Sequence, residues 1–159
     1  MARGRYAALL LGLYLLGVML ALVNPAFIAS RFPALDQQII PAAALLLTVD
    51  GVLNSSVCAA PLLPVCSLLF GVLSALEAQR ILEKLTVPEA GGWLHAAAFS
   101  AVVVVHFVLC GFGMDNAFRL RSVLRRNGQL NRDFLIPTYT CMLTGISAGL
   151  LLIRFIMRL

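Results

Sequence analysis

Residues 39–76 read IIPAAALLLTVDGVLNSSVCAAPLLPVCSLLFGVLSAL, a stretch of 38 residues that is almost wholly apolar. One membrane crossing needs only about 20 residues, so this stretch has to bend. The place for the bend is plain in the residues. Asp50-Gly51 and Asn54-Ser55-Ser56 precede Pro61 and Pro64, which gathers polar groups, glycine and proline into one short region. The arms on either side, 39–53 and 62–76, have 15 residues each. At ~1.5 Å per residue each arm covers ~22 Å, short of the ~30 Å hydrocarbon core of a bilayer. The expectation is a short bent pair. It is either two short helices or a re-entrant hairpin whose irregular backbone is shielded by protein or water.

The rest of the chain has the same character. Of 159 residues, 61% are hydrophobic and 12% are charged, and the mean hydropathy is +0.96. A soluble domain carries about 25% charged residues, and half that charge cannot cover a water-facing surface. An ordinary soluble enzyme, a disordered protein and a nucleic-acid-binding module are thereby excluded. The net charge of +5 is read as topology-setting and as attraction to anionic lipid headgroups, not to nucleic acid. The expected fold class is all-α, a polytopic integral membrane helical bundle forming one domain over 1–159. Its five hydrophobic segments fall near 6–23, 39–53, 62–76, 93–112 and 134–153.

The first run, behind Arg3 and Arg5, is longer than the h-region of a signal peptide and lacks a clean small-x-small cleavage site, so an uncleaved helix ending at Asn24-Pro25 is expected. A loop with Arg31, Pro33 and Asp36 follows. The segment 77–85 (EAQRILEKL) is charged and helix-forming, Thr86-Val87-Pro88 and Gly91-Gly92 break the chain, and Trp93 opens the next run at an interface. Residues 115–133 read as a polar loop with Arg119, Arg121, Arg125, Arg126 and Arg132. Basic residues favour the cytoplasmic side. With the N-terminus and this loop inside, seven basic residues lie inside and five outside. The protein is therefore expected in the cell membrane with its N-terminus cytoplasmic, and the 39–76 pair starts and ends outside.

Few residues offer chemistry. Asp50 is the one acid within an apolar run. A charge there costs roughly 2.5–3.5 kcal/mol on insertion scales. It is either an ion, proton or ligand site, with Thr48 and Asn54 close enough in sequence to serve the acid, or a helix-end residue facing water beside the turn glycine. His95 and His106 are eleven residues apart and share a helix face. At ~16 Å apart they make no metal site. His95, beside Trp93, reads as interfacial, whereas His106 lies deeper and needs a hydrogen-bond partner. Cys58, Cys66, Cys110 and Cys141 form no C-x-x-C and show no zinc spacing, so they read as reduced, packed thiols. No catalytic residue, metal site or cofactor motif is expected.

Other residues suggest contacts. Gly145 and Gly149 make a small-residue helix-packing face. Their G-x-S-x-G register matches a hydrolase nucleophile elbow, but that motif needs a strand–turn–helix setting. Ser67, Gly71 and Ala75 form a second small-residue stripe. Residues 116–126 (NAFRLRSVLRR) read as a short interfacial helix. Its Phe118, Leu120, Val123 and Leu124 can dip into a bilayer while Arg119, Arg121, Arg125 and Arg126 reach headgroups or a cytoplasmic partner. The Asn54-Ser55-Ser56 sequon is chemically valid, but its position in the bend argues against its use.

The proline-punctuated segment Ala60-Pro61-Leu62-Leu63-Pro64, running into Phe70-Gly71-Val72-Leu73-Ser74, and the polar loop 127–133 before the last span resemble the stage II sporulation protein M family, over roughly residue 39 to the C-terminus. The resemblance implies a non-enzymatic, multi-span protein that anchors or assembles cell-wall-remodelling partners, and it supplies no catalytic residues. The expected function is thus a membrane scaffold or assembly subunit, with membrane or wall-remodelling partners or copies of itself as a homo-oligomer. The alternative is a small-solute or ion transporter or channel component with a polar site near Asp50, Asn54 and His106.

Overall fold

The chain turns where the polar residues and prolines cluster. In the computed structural model, which describes residues 2–24, 39–56, 59–86, 91–125 and 132–156, five helices follow one another. They are α1 (Ala2–Val23), α2 (Ile39–Leu53), α3 (Ala59–Thr86), α4 (Gly91–Arg125) and α5 (Arg132–Ile156), and no strand occurs among the described residues. The Arg31–Asp36 loop, Cys58 and Arg126 lie outside the described residues. α1 stops at Val23, two residues ahead of Pro25. The end of α2 tightens into i→i+3 bonds. Asn54 N–H bonds to the carbonyls of Asp50 and Gly51, Ser55 N–H to Val52 and Ser56 N–H to Leu53, at 2.9–3.3 Å.

The two arms of the bent pair are unequal. α2 has the expected 15 residues. α3 does not stop near residue 76 but continues to Thr86, 28 residues in all, or ~42 Å. Pro61 stands in its first turn, where no intrahelical N–H bond is lost, and Pro64 is accommodated inside. The charged segment continues the helix because Ala, Glu, Gln, Arg, Leu and Lys are good helix formers. Its first acid, Glu77, is also buried against a partner. α4 likewise absorbs the first half of the expected polar loop. It runs 35 residues to Arg125, so 116–125 is the end of a long helix and not a separate interfacial one. Three helices, over Tyr6–Val23, Ala59–Glu83 and Gly92–Arg125, are long and apolar enough to cross a membrane, and Ile39–Leu53 and Leu135–Leu151 are shorter apolar helices.

Side-chain contacts set the directions. Ser67 Oγ donates to Leu10 O at 3.0 Å and Gly71 lies against Tyr14 O, so α3 runs parallel to α1. Glu77 meets His95 and Phe70 meets Phe99 and His106, so α4 runs antiparallel to α3. Gly51 faces Gly145 while Ala44 faces Gly149, so α5 runs antiparallel to α2. The helices therefore alternate up and down through the bundle. Tyr6 stacks on Phe118 with ring centroids 4.7 Å apart, which puts the start of α1 and the end of α4 at the same end, together with the α2–α3 bend.

Small residues make the two outer crossings. Ser67 and Gly71 bring α3 onto α1, and Ala75 is buried further along α3. Gly145 and Gly149 bring α5 onto α2. A Cβ on Gly145 would stand 2.6 Å from the Cα of Gly51, and one on Gly149 would stand 2.8 Å from Ala44 O. Here backbones touch, and only hydrogen fits between them. Ser147 of the G-x-S-x-G register lies on the exposed side of α5 within continuous helix, so no nucleophile elbow forms. Gly71→Ala should lower stability by ~1–3 kcal/mol, the usual cost of overpacking, whereas Gly12→Ala, with nothing within 4 Å of the added carbon, should be neutral or slightly stabilising. Thermal unfolding of the detergent-solubilised protein, followed by its helical circular dichroism, compares the two.

Candidate functional site

One stripe of α3 faces one stripe of α4. On α3 it carries Cys66, Phe70, Leu73, Glu77 and Ile81, and on α4 it carries His95, Phe99, Val102, His106 and Leu109, all of them buried. Both stripes follow the three-and-four spacing of a helix face. Most members are apolar. The polar ones are met by partners from other helices.

Asp50 and His106 are both 0% exposed. Asp50 stands on the last full turn of α2 and His106 near the middle of α4, and Nδ1 of His106 lies 2.6 Å from Oδ2 of Asp50. The imidazole stacks flat on Phe70, with centroids 4.2 Å apart and planes 6° apart, and meets Phe107 edge-on at 5.5 Å. Two aromatic rings and one carboxylate thus fix its orientation. Asp50 is therefore not a water-facing helix-end residue. The turn glycine beside it is used for the close approach of α5, which seals that side.

Thr48 and Asn54 do not serve the acid. Thr48 Oγ1 donates back to Ala44 O at 2.9 Å. Asn54 is buried, and its Nδ2 donates to Asp50 O at 2.7 Å and to Leu109 O at 3.1 Å. It ties the end of α2 to α4 through the backbone. Among the described residues, Oδ1 of Asp50 and Oδ1 of Asn54 are buried with no hydrogen-bond partner. Such atoms are few in folded proteins, and each lost partner costs about 1–3 kcal/mol.

Cys110 joins the pair, since its sulfur lies 3.7 Å from each ring nitrogen of His106. One ligand atom each from Asp50, His106 and Cys110 fall within 4.8 Å of one another. The Cys66 thiol on α3 is also within electrostatic reach of the Asp50 carboxylate. Cys66, Cys110 and Cys141 are free. A second pair stands eleven residues back along α4, where Nε2 of His95 is 2.5 Å from Oε1 of Glu77. Both residues are buried, so His95 is not an interfacial side chain like its neighbour Trp93, which is 74% exposed.

The remaining candidates lie elsewhere. Arg119, Arg121 and Arg125 are exposed on the last turns of α4, and Arg119 approaches Asp115 at 3.9 Å. Cys66 and Cys110 are free, buried thiols as expected, but sequence reading did not bring either to the Asp50–His106 pair, and it missed Glu77. The register His106-x-x-x-Cys110 carried a signal for Cys110, because residues four apart on a helix are neighbours. Cys66 and Glu77 lie on the Phe70 stripe, but nothing local shows what opposes that stripe. No protein-family model, no curated protein and no solved structure matches this chain.

A buried pair is harder to break than to neutralise. His106→Ala strands the carboxylate and should cost about 3–5 kcal/mol, while Asp50→Asn keeps an acceptor for Nδ1–H and should cost less, on the order of 1 kcal/mol. Unfolding midpoints of the two variants in the same detergent test this order.

Proposed function

We propose that this chain is an integral, multi-pass protein of the cell membrane, and that its Asp50–His106 pair is the ion-handling site of a small-solute or ion transporter or channel component. The observation that carries this reading is a carboxylate and an imidazole, both fully buried and 2.6 Å apart, joining α2 to α4. Ionisable groups at membrane depth are expensive, and they mark ion and proton pathways. A carboxylate–imidazole pair holds a proton between its two atoms and can pass it on. The Glu77–His95 pair provides a second station on the same seam, ~16 Å away along α4, with the Phe70 and Phe99 rings between the two.

The membrane setting draws on the surface. α1 exposes Leu9, Leu11, Leu15, Leu16, Met19 and Leu20, an apolar face too large for a soluble monomer to show to water. The end of the bundle that carries Arg3 and Arg5 also carries Arg119, Arg121 and Arg125. That shared end is the cytoplasmic one by the positive-inside rule, and its arginines suit anionic headgroups. The α2–α3 bend then lies at the cytoplasmic end, between two crossings.

The scaffold reading has one observation in its favour. On α5, Tyr139, Thr140, Leu143, Thr144, Ser147 and Leu151 are exposed together, a face of small and mixed residues able to receive a further helix. This face, with the arginines of α4, is where a membrane or wall-remodelling partner of the kind the sporulation resemblance implies, or a second copy of the chain, would sit.

Proteoliposomes with an internal pH dye separate the readings. Under an imposed potential the wild-type protein should carry protons, and Asp50→Asn should reduce the flux to that of empty liposomes while leaving the helical content unchanged. Wild-type flux no greater than that of empty vesicles, or an undiminished flux in Asp50→Asn, overturns the transport reading. In the latter case Thr144→Cys cross-linking in native membranes becomes the test of the α5 face.

A further inference from the structure

We infer that Asp50, His106 and Cys110 form a binding site for a divalent transition-metal ion of the zinc class. The inference rests on the reading of Asp50–His106 as the ion-handling site and names the kind of ion handled there. Three observations converge. A carboxylate oxygen, an imidazole nitrogen and a thiol sulfur lie within 4.8 Å of one another, brought together by α2 and α4. All three residues are buried. Oδ1 of Asp50, fully buried, has no hydrogen-bond partner among the described residues, so a carboxylate lone pair is left over at the site after His106 has been served.

The three ligand atoms gather around one small volume, and side-chain rotation closes it on an ion. Cys110 Sγ lies 3.7 Å from each His106 nitrogen, equidistant from the two, so the thiol has to swing toward Nδ1 to reach the sulfur–nitrogen edge of roughly 3.6 Å of a tetrahedral site. The Oδ2–Nδ1 separation of 2.6 Å is a hydrogen bond. Spreading it to the roughly 3.3 Å edge expected for two light ligands takes less than ~1 Å of side-chain movement.

The donor types select the ion. Mixed oxygen, nitrogen and sulfur donors favour zinc-like ions over magnesium and calcium, which take oxygen ligands. Charge points the same way. One carboxylate, one thiolate and a neutral imidazole carry two negative charges, and a divalent cation makes the buried centre neutral, the condition a low-dielectric interior demands. A monovalent ion would leave one charge unbalanced. Asn54, one turn beyond Asp50, has its own buried and unpartnered Oδ1.

The test is a cobalt titration of the full-length protein in mild detergent after a chelator wash. Wild-type protein should bind about one Co2+ per chain, with the intense visible bands of a tetrahedral site and a thiolate-to-cobalt charge-transfer band, and Zn2+ should bleach both. Cys110→Ser should lose the charge-transfer band, and Asp50→Asn should weaken Co2+ binding by at least about tenfold. Ser100→Ala, on the exposed side of α4, should change neither. Both ligand variants are close in size to the native residues, and unchanged circular dichroism and gel-filtration profiles establish that they are folded. Absence of tetrahedral cobalt bands in the wild type, or spectra unaltered by both ligand substitutions, overturns the metal assignment. Proton flux that depends on Asp50 in a protein that binds no cobalt removes the metal and keeps the transport reading. Cobalt bound with these spectra, in a protein that moves neither protons nor Co2+ across liposomes, keeps the metal site and removes the transport reading.

Discussion

A carboxylate that cannot reach water has to be met by something, and the arrangement of this bundle follows from how Asp50 is met. The residue stands on the last turn of α2, and His106 comes to it from α4, 56 positions later in the chain. Phe70 of α3 lies flat on the imidazole. Three helices are thus fastened at one point. α1 and α5 are added outside them through close small-residue crossings, α1 on α3 and α5 on α2. The two kinds of contact differ in what they tolerate. The outer crossings need the absence of side chains, and the inner seam needs particular ones.

The polar inner seam is costly to build. Apolar residues of similar volume at Asp50 and His106 would fill the same space without desolvating a carboxylate, and such replacements are often neutral or stabilising. The chain instead keeps two carboxylate–imidazole pairs, and in each one carboxylate oxygen is hydrogen-bonded while the other has no partner among the described residues. A half-satisfied carboxylate stabilises less than a fully satisfied one. It does leave a lone pair for a proton or a cation. That trade is the physical basis for reading the seam as functional and not as packing alone.

The helical class, the apolar character and the need for a bend near Asp50–Ser56 were legible from composition and turn residues. The end of α1 before Pro25 was also legible, because proline disfavours helix in the residue ahead of it. The lengths of α3 and α4 were not. Charged residues at Glu77–Leu85 and the arginines after Asp115 read as breaks, yet helix propensity carries both segments onward. Glu77 is removed from the surface by His95, and Arg119, Arg121 and Arg125 are exposed on the last turns of α4. Hydropathy marks where an apolar run stops, whereas a helix stops where its backbone or caps fail.

The candidate site divides in the same way. Asp50 and His106 could each be singled out from sequence, because an ionisable residue inside an apolar run is conspicuous by itself. That they are partners could not, because local periodicity says which residues share a face and nothing about which face lies opposite. The same limit hid Glu77 behind a charged segment and separated Cys66 from the carboxylate it lies beside. Sequence determined the class of the protein, its bend and its two conspicuous ionisable groups, since these depend on composition and on neighbours along the chain. Tertiary structure alone decided the pairing, because a contact across 56 residues depends on how α2, α3 and α4 cross, and those crossings come from packing that no local segment records.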